Sequence, residues 1–76
     1  MTLDRLKPGN SAQVTDIEAD HILRRRMMEL GVTPGTKVSV VRVAPMGDPI
    51  EIKVRGYRLS LRKADAASIS CTNRGE

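Results

Sequence analysis

The chain contains no phenylalanine and no tryptophan, and Tyr57 is its only tyrosine. Its interior must therefore be filled by valine, isoleucine, leucine, methionine and alanine. Proteins that bind single-stranded nucleic acid stack the bases on aromatic side chains, and grooves for proline-rich peptides are lined by aromatic rings. The scarcity of aromatic residues argues against both kinds of site, so we expect no nucleic-acid partner.

Cysteine and histidine are equally scarce, since Cys71 and His21 are the only ones. A single cysteine cannot form an internal disulfide, and no Cys or His spacing is typical of a zinc site. Cys71 fits an inward alternation and His21 stands at a predicted helix start, so a buried thiol and a surface imidazole are the simpler interpretation. There is no G-x-x-x-x-G-K-[ST] loop and no evident carboxylate pair. We therefore expect no metal site, no cofactor and no enzymatic activity.

Long apolar runs are also missing. No stretch of about 20 apolar residues is available to span a bilayer, and the N-terminus lacks the apolar centre of a signal peptide. These absences predict a cytoplasmic protein. Residues 1–76 are expected to form one small domain that buries about 60% of its unfolded surface. Thirteen basic and nine acidic residues give a formal charge of +4, which favours acidic partners without choosing among them.

The segment 30–36, with the sequence LGVTPGT, ends the most convincing helical pattern and leads into the longest apolar strand pattern. Gly31 can adopt the left-handed conformation that closes a helix. Pro34 and Gly35 stand in the order of a type II turn, in which glycine supplies the positive φ. We therefore expect a helix to end before Gly31 and a strand to begin after Gly35.

A helix is predicted over residues 21–30. Asp20 precedes it as an N-cap, because its carboxylate can accept a hydrogen bond from a free backbone N–H of the first turn. Leu23, Met27 and Leu30 recur at helical spacing and define the face that points to the core.

The opposite face of this helix carries Arg24, Arg25 and Met28. Arginines on such a face are most often simply solvated. Met28 is either a scattered exposed apolar residue, which is normal, or part of a docking patch. The sequence leaves both interpretations open.

The first two strand patterns are irregular. Residues 11–15 alternate as a half-buried strand does, and Ile17 breaks that register, as a bulge or a strand end would. Within residues 38–43, the first two valines share one face and the last two share the other. We expect a bulged, strongly curved strand that passes from one sheet to another, a device that closes small barrels.

The second half of the chain is more regular. Residues 44–49 contain two prolines and a glycine and predict a hairpin loop with Met46 at its tip. The elements predicted after it are a strand at 50–54, a turn at 56–57, a strand through Leu59 and Leu61, a helical turn at 62–66, a closing strand at 67–71 and a frayed tail at 72–76. Residues 2–6 predict one turn of helix or an extended lead-in.

Five short strands with one helix inserted between the first and the second predict a mainly β fold, a small barrel of the SH3-like kind. The members predicted for its single core are Leu23, Met27, Val40, Ile52, Leu59 and Ile69.

Two motifs, RMMELGVTPGT at 26–36 and VRVAPMGDPI at 41–50, resemble the ferrous iron transport protein A (FeoA) family. The segments KPG at 7–9 and LSLRKADA at 59–66 match the remaining pattern of that family. The resemblance implies a small cytoplasmic SH3-like barrel that acts with the membrane iron permease FeoB, whose cytosolic part is a GTP-binding domain. It also implies that the protein reaches the membrane only through this partner.

The residues predicted to bind the partner are Arg24, Arg25, Met28, Met46 and Asp48. Met28, Met46 and Asp48 lie within the two motifs, and Arg24 and Arg25 lie on the predicted helix just before the first motif. Apolar anchors rimmed by charge are the usual composition of a docking patch. On this interpretation the protein docks on FeoB and supports its assembly or its GTPase-linked transport.

Two other interpretations belong to different classes. The first is a metal-responsive regulatory module, like the C-terminal domain of metal-dependent repressors, which would bind a divalent ion through His21, Cys71 or carboxylates. The second is a GTPase activator that supplies an arginine from among Arg24, Arg25 and Arg26 to a partner's nucleotide.

Overall fold

The computed structural model describes residues 1–73. Its elements in chain order are a 3₁₀ turn (Leu3–Arg5), β1 (Ser11–Ile17), α1 (His21–Glu29), β2 (Lys37–Val43), β3 (Ile50–Val54), β4 (Tyr57–Leu61), α2 (Lys63–Ala66) and β5 (Ile69–Asn73). The five strands form one antiparallel sheet in the order β4-β3-β2-β1-β5. The prediction of a mainly β fold with one inserted helix is confirmed.

Two bulges bend this sheet. The register shifts between Val14 and Asp16, where β1 pairs with β5, and between Val40 and Arg42, where β2 pairs with β3. A bulge adds local twist and bends its strand. Its extra residue also shifts the alternation, so Val43, opposite Ile50, lies on the same face as Val40, opposite Ile52. β2 therefore curves as predicted, but it stays in one continuous sheet and does not pass between two sheets.

One aliphatic core lies inside the curved sheet. The predicted members are Met27, Val40, Ile52 and Ile69, which are buried, and Leu23 and Leu59, which are partly buried against them. The core also includes Leu3 and Leu6, which are 0% and 4% exposed. Their three-residue spacing fits the 3₁₀ turn, which places both side chains on the same side.

The N-terminus of α1 forms as its capping chemistry predicts. The Asp20 carboxylate accepts a hydrogen bond of 2.8 Å from the backbone N–H of Leu23, which satisfies one of the first N–H groups of the helix. α1 ends at Glu29, one residue earlier than predicted, with Leu30 as its C-cap.

The C-terminus of α1 is closed by Gly31, whose φ is 90°. The Gly31 N–H donates to the Met28 carbonyl at 3.1 Å, and the Val32 N–H donates to the Met27 carbonyl at 2.9 Å. These two hydrogen bonds define a Schellman motif, which satisfies carbonyls that the last turn leaves free. Val32 thereby folds back into the core, where it is 0% exposed.

The turn between β3 and β4 consists of Arg55 and Gly56, whose φ values are 52° and 87°. The prediction of a turn at 56–57 is therefore wrong by one residue, and Tyr57 is the first residue of β4. A two-residue hairpin with positive φ at both positions matches the twist of the flanking strands. This preference places Arg55 in a conformation that is uncommon for residues other than glycine.

The C-terminal region also differs from the prediction. Ala67 is the C-cap of α2 and not a strand residue. β5 includes residues 72–73, which were predicted as part of a frayed tail. The rest of that predicted tail, residues 74–76, lies outside the described residues.

Candidate docking surface

The loop between β2 and β3 presents Met46 to solvent with 92% of its surface exposed. Two backbone hydrogen bonds tighten the loop: Ala44 N–H donates to the Pro49 carbonyl at 3.0 Å, and Gly47 N–H donates to the Ala44 carbonyl at 2.7 Å. Among the described residues, no other large apolar side chain is exposed to this extent. The loop therefore holds an uncovered apolar group at the tip of a closed turn, as the sequence predicts.

Asp48 connects this loop to α2. Its carboxylate accepts a hydrogen bond of 2.9 Å from the backbone N–H of Lys63, the first residue of α2. This is the favourable position for an acidic group at a helix start. Asp48 is exposed, but one of its oxygens already has a partner within the fold. This hydrogen bond holds the Met46 loop against the N-terminus of α2.

The outer face of α1 contains a shallow groove lined by His21, Arg24, Arg25, Met28 and Glu29. Met28 is 51% exposed. Arg25 pairs with Glu29 one turn further along the helix at 3.5 Å. Because both side chains are largely exposed, this ion pair contributes little to stability. Arg25 therefore remains free to exchange Glu29 for an acidic group of a partner.

Sequence reasoning missed Ile22, which is 75% exposed on α1. A helix turns by about 100° per residue, so Ile22 lies on one side of Arg25 and Met28 on the other. Ile22 is apolar but stands outside the spacing that defines the inward face of the helix, and this position could have indicated that it is exposed. The outer face of α1 therefore carries two exposed apolar residues, Ile22 and Met28, with Arg25 between them.

The flank of α1 that carries Ile22 faces α2. Arg26 forms an ion pair with Asp65 of α2 at 3.8 Å, and residues four apart on a helix share one side. Ile22 lies four residues before Arg26, so it is on this side. Since Asp48 also binds α2, Arg26 on this flank and the Met46 loop each interact with the same short helix.

The other flank of α1 faces β1. Arg24 lies 4.0 Å from Asp16 of β1, and Met28 is four residues after Arg24 on the same side. The structure therefore places two predicted docking residues, Arg24 and Met28, on a different flank of α1 from Arg26, which pairs with α2.

The metal-binding interpretation uses His21, Cys71 or carboxylates, and His21 and Cys71 lie on different elements. Cys71 is 3% exposed, and burial is the main cause that raises the pKa of its thiol. A raised pKa keeps the thiol protonated, whereas metals bind the thiolate. Within residues 1–73, no three His, Cys, Asp or Glu residues cluster in a way that could hold a metal ion. The described side chains therefore provide no site with three such ligands for a divalent metal.

The curved five-stranded antiparallel sheet, its inserted helix and its exposed hairpin tip define a small SH3-like domain that has groups available for docking. Across residues 1–73, no helix is both long and apolar enough to cross a membrane. The family model described as the FeoA domain matches residues 1–73. The chain belongs to the FeoA family.

Three similar proteins illustrate this relationship. The Fe(2+) transport protein A/Fe(2+) transporter FeoB fusion protein of Porphyromonas gingivalis is 36% identical over 69 residues, which cover 91% of this chain but 8% of the fusion protein. The solution structure of the FeoA protein from Chlorobium tepidum is 41% identical, with 99% of this chain and 71% of that chain covered and a TM-score of 0.92. The zinc complex of Stenotrophomonas maltophilia FeoA, described as a prokaryotic SH3 domain protein, is 32% identical, with 95% and 89% covered and a TM-score of 0.83.

Proposed function

We propose that this protein is a cytoplasmic, non-enzymatic accessory of ferrous iron uptake that docks on the cytosolic GTP-binding region of the permease FeoB. It supports the assembly of the permease or its GTPase-linked transport, and it reaches the membrane only through this partner. The observation that carries the proposal is the 92% exposure of Met46 on a closed hairpin in a FeoA-family domain. The P. gingivalis relative, whose name joins FeoA and FeoB in one chain, supports the same pairing here.

The physical basis of docking is the burial of an apolar side chain that is already held in place. Full burial of a methionine side chain is worth about 1.5–3 kcal/mol. The hydrogen bonds within residues 44–49 restrict the loop before binding, so less conformational entropy is lost when the partner immobilises it. The arginines of α1 would then supply the charged rim that steers association.

We expect Met46→Asp to weaken binding to detergent-solubilised FeoB by about tenfold or more, because a charge at a buried anchor must be desolvated without a partner. Its melting temperature should match that of the parent, since the side chain is 92% exposed. Biolayer interferometry and a thermal melt measure the two properties. Met46→Leu is the control that keeps an apolar side chain, and it should bind nearly as the parent does. Equal affinity of Met46→Asp and the parent would remove the hairpin tip from the docking surface.

A second prediction distinguishes the two flanks of α1. If the partner covers the Met46 loop, α2 and the adjacent side of α1, then Ile22→Asp should weaken FeoB binding by about fivefold or more, and Met28→Asp should have less effect. The two variants add the same charge at exposed positions, so each is the control for the other. Thermal melting curves of both variants check that each is still folded. The reverse order of affinities would instead place FeoB on the groove beside Met28.

A further inference from the structure

A second open groove lies at the opposite end of β2 and β3 from the hairpin loop 44–49. The turn at 33–36 that leads into β2 forms one wall, and the turn at the end of β3 forms the other. Lys37, Lys53 and Arg55 line this groove, and no acidic residue among those that the structure describes does so. We call these three side chains and the space between them the basic groove.

The positive charge of the basic groove is not neutralised within the described fold. Neither Lys37 nor Lys53 has a carboxylate oxygen within 4.0 Å in residues 1–73. Glu51 lies two residues from Lys53 along β3, but its carboxylate binds Arg42 at 2.8 Å and Arg58 at 3.6 Å. The two lysines are therefore available to an external anion.

Arg55 is fixed at the rim of the groove. Its Nε donates to the Gly31 carbonyl at 3.2 Å, and its Nη2 donates to Thr36 Oγ1 at 3.2 Å. A guanidinium group carries five N–H donors, so others remain for a ligand. Because Arg55 is already held by these bonds, its side chain loses less entropy on binding than a free arginine would.

The charges are spaced to match an extended chain. Ser39 pairs with Lys53 across the sheet. Lys37 lies two residues before Ser39 on β2, and Arg55 is the first residue of the turn that follows β3. Two strand residues span about 7 Å, and alternate side chains of an extended peptide are separated by the same distance. The small side chain of Ser39 leaves the floor of the groove low enough for a backbone to approach.

We propose that the basic groove binds an extended acidic segment of a partner protein, with carboxylates at alternate positions facing Lys37 and Arg55 in one row and Lys53 in the next. None of the exposed large apolar residues lines the groove, so it offers no large apolar side chain that would insert into a bilayer. It also has no aromatic side chain on which a nucleic-acid base would stack. This inference rests on charge complementarity and is independent of docking through Met46.

Fluorescence anisotropy at low salt tests the proposal with a labelled decapeptide of alternating glutamate and serine. Lys37→Glu and Lys53→Glu should each weaken its binding by about tenfold or more, because like charges repel at the same site. Lys63→Glu is the matched control: it makes the same charge change on α2, which the Asp48 hydrogen bond ties to the hairpin loop at the other end of β2 and β3. Its effect should stay below about twofold. Thermal melts confirm that all three variants are folded.

Four further probes test the identity of the occupant. A peptide with the same glutamates in one uninterrupted run should bind more weakly than the alternating peptide, and a glutamine–serine peptide should not bind. Oligo(dT) and phosphatidylserine vesicles should not displace the alternating peptide when they are added at the same concentration of negative charge. Equal effects of Lys53→Glu and Lys63→Glu would overturn the groove as the site. Stronger binding of oligo(dT) or vesicles that depends on Lys37 and Lys53 would overturn the acidic peptide as the ligand.

Discussion

Replacement of Ile52 by alanine is expected to lower the free energy of unfolding by about 2–5 kcal/mol, the range found for buried aliphatic residues. Ile52 is 0% exposed and stands in the middle of β3, where it is paired with Val40 on β2 and Leu59 on β4. Strands on both sides fix the backbone, so the neighbouring side chains have little freedom to fill the cavity. Small domains have a total stability of only about 5–15 kcal/mol, so this one substitution removes much of it.

Ile22→Ala is the matched control for this measurement. It deletes the same atoms from a side chain that is 75% exposed, and its effect should stay within about 0.5 kcal/mol. Urea denaturation of the parent and both variants gives the comparison, with the slope of the transition checked for two-state behaviour. If Ile52→Ala and Ile22→Ala unfolded at the same urea concentration, the inward assignment of β3 would be wrong.

Gly31→Ala is expected to have the second large effect on stability. With φ at 90°, a side chain at this position costs about 1–2 kcal/mol in backbone conformation alone. The added Cβ would also lie 3.0 Å from Cδ of Arg55. Arg55 must then move, which disturbs its hydrogen bonds to the Gly31 carbonyl and to Thr36 Oγ1. Each of these bonds is worth about 0.5–1.5 kcal/mol.

Gly9→Ala separates the two causes. Gly9 has a φ of 88°, but a Cβ built there meets no atom within 4 Å. The Gly9→Ala variant should therefore show only the conformational cost. The Gly31→Ala variant should unfold at a clearly lower urea concentration than Gly9→Ala. A background of Arg55→Ala removes the steric conflict, so the difference between the two glycine variants should shrink there. A difference that persisted unchanged in that background would show that Arg55 is not its cause.

These two experiments address different links between the sequence and the fold. The inward position of Ile52 was predicted from the alternation of residues 50–54, because a strand places successive side chains on opposite faces. The role of Gly31 as a helix terminator was predicted as well, since only glycine takes a left-handed conformation without a steric cost. The contact between Gly31 and Arg55 was not predicted, because it joins two turns that are 24 residues apart.

For the candidate docking residues, too, local features could be predicted from the sequence and non-local ones could not. The exposure of Met46 follows from the turn chemistry of residues 44–49, which is local. The hydrogen bond between Asp48 and α2 is not local, and neither is the ion pair that directs one flank of α1 toward α2. The exposure of Ile22 could be expected from its position outside the inward spacing, but the neighbour that lies beside its flank could not.

By itself the sequence determined the elements and most of their boundaries, the bulge in β2, the caps of α1 and the exposed tip of the hairpin. Each depends on periodicity, on capping chemistry or on the conformational limits of glycine and proline, all of which act within a few residues. Only the tertiary structure decided what those elements meet. The packing of the 3₁₀ turn against α2 and β5 placed Leu3 and Leu6 in the core. The pairing of β2 with β3 brought Lys37, Lys53 and Arg55 to one groove. Such contacts reflect packing between segments distant in the chain, and a local pattern carries no signal for them.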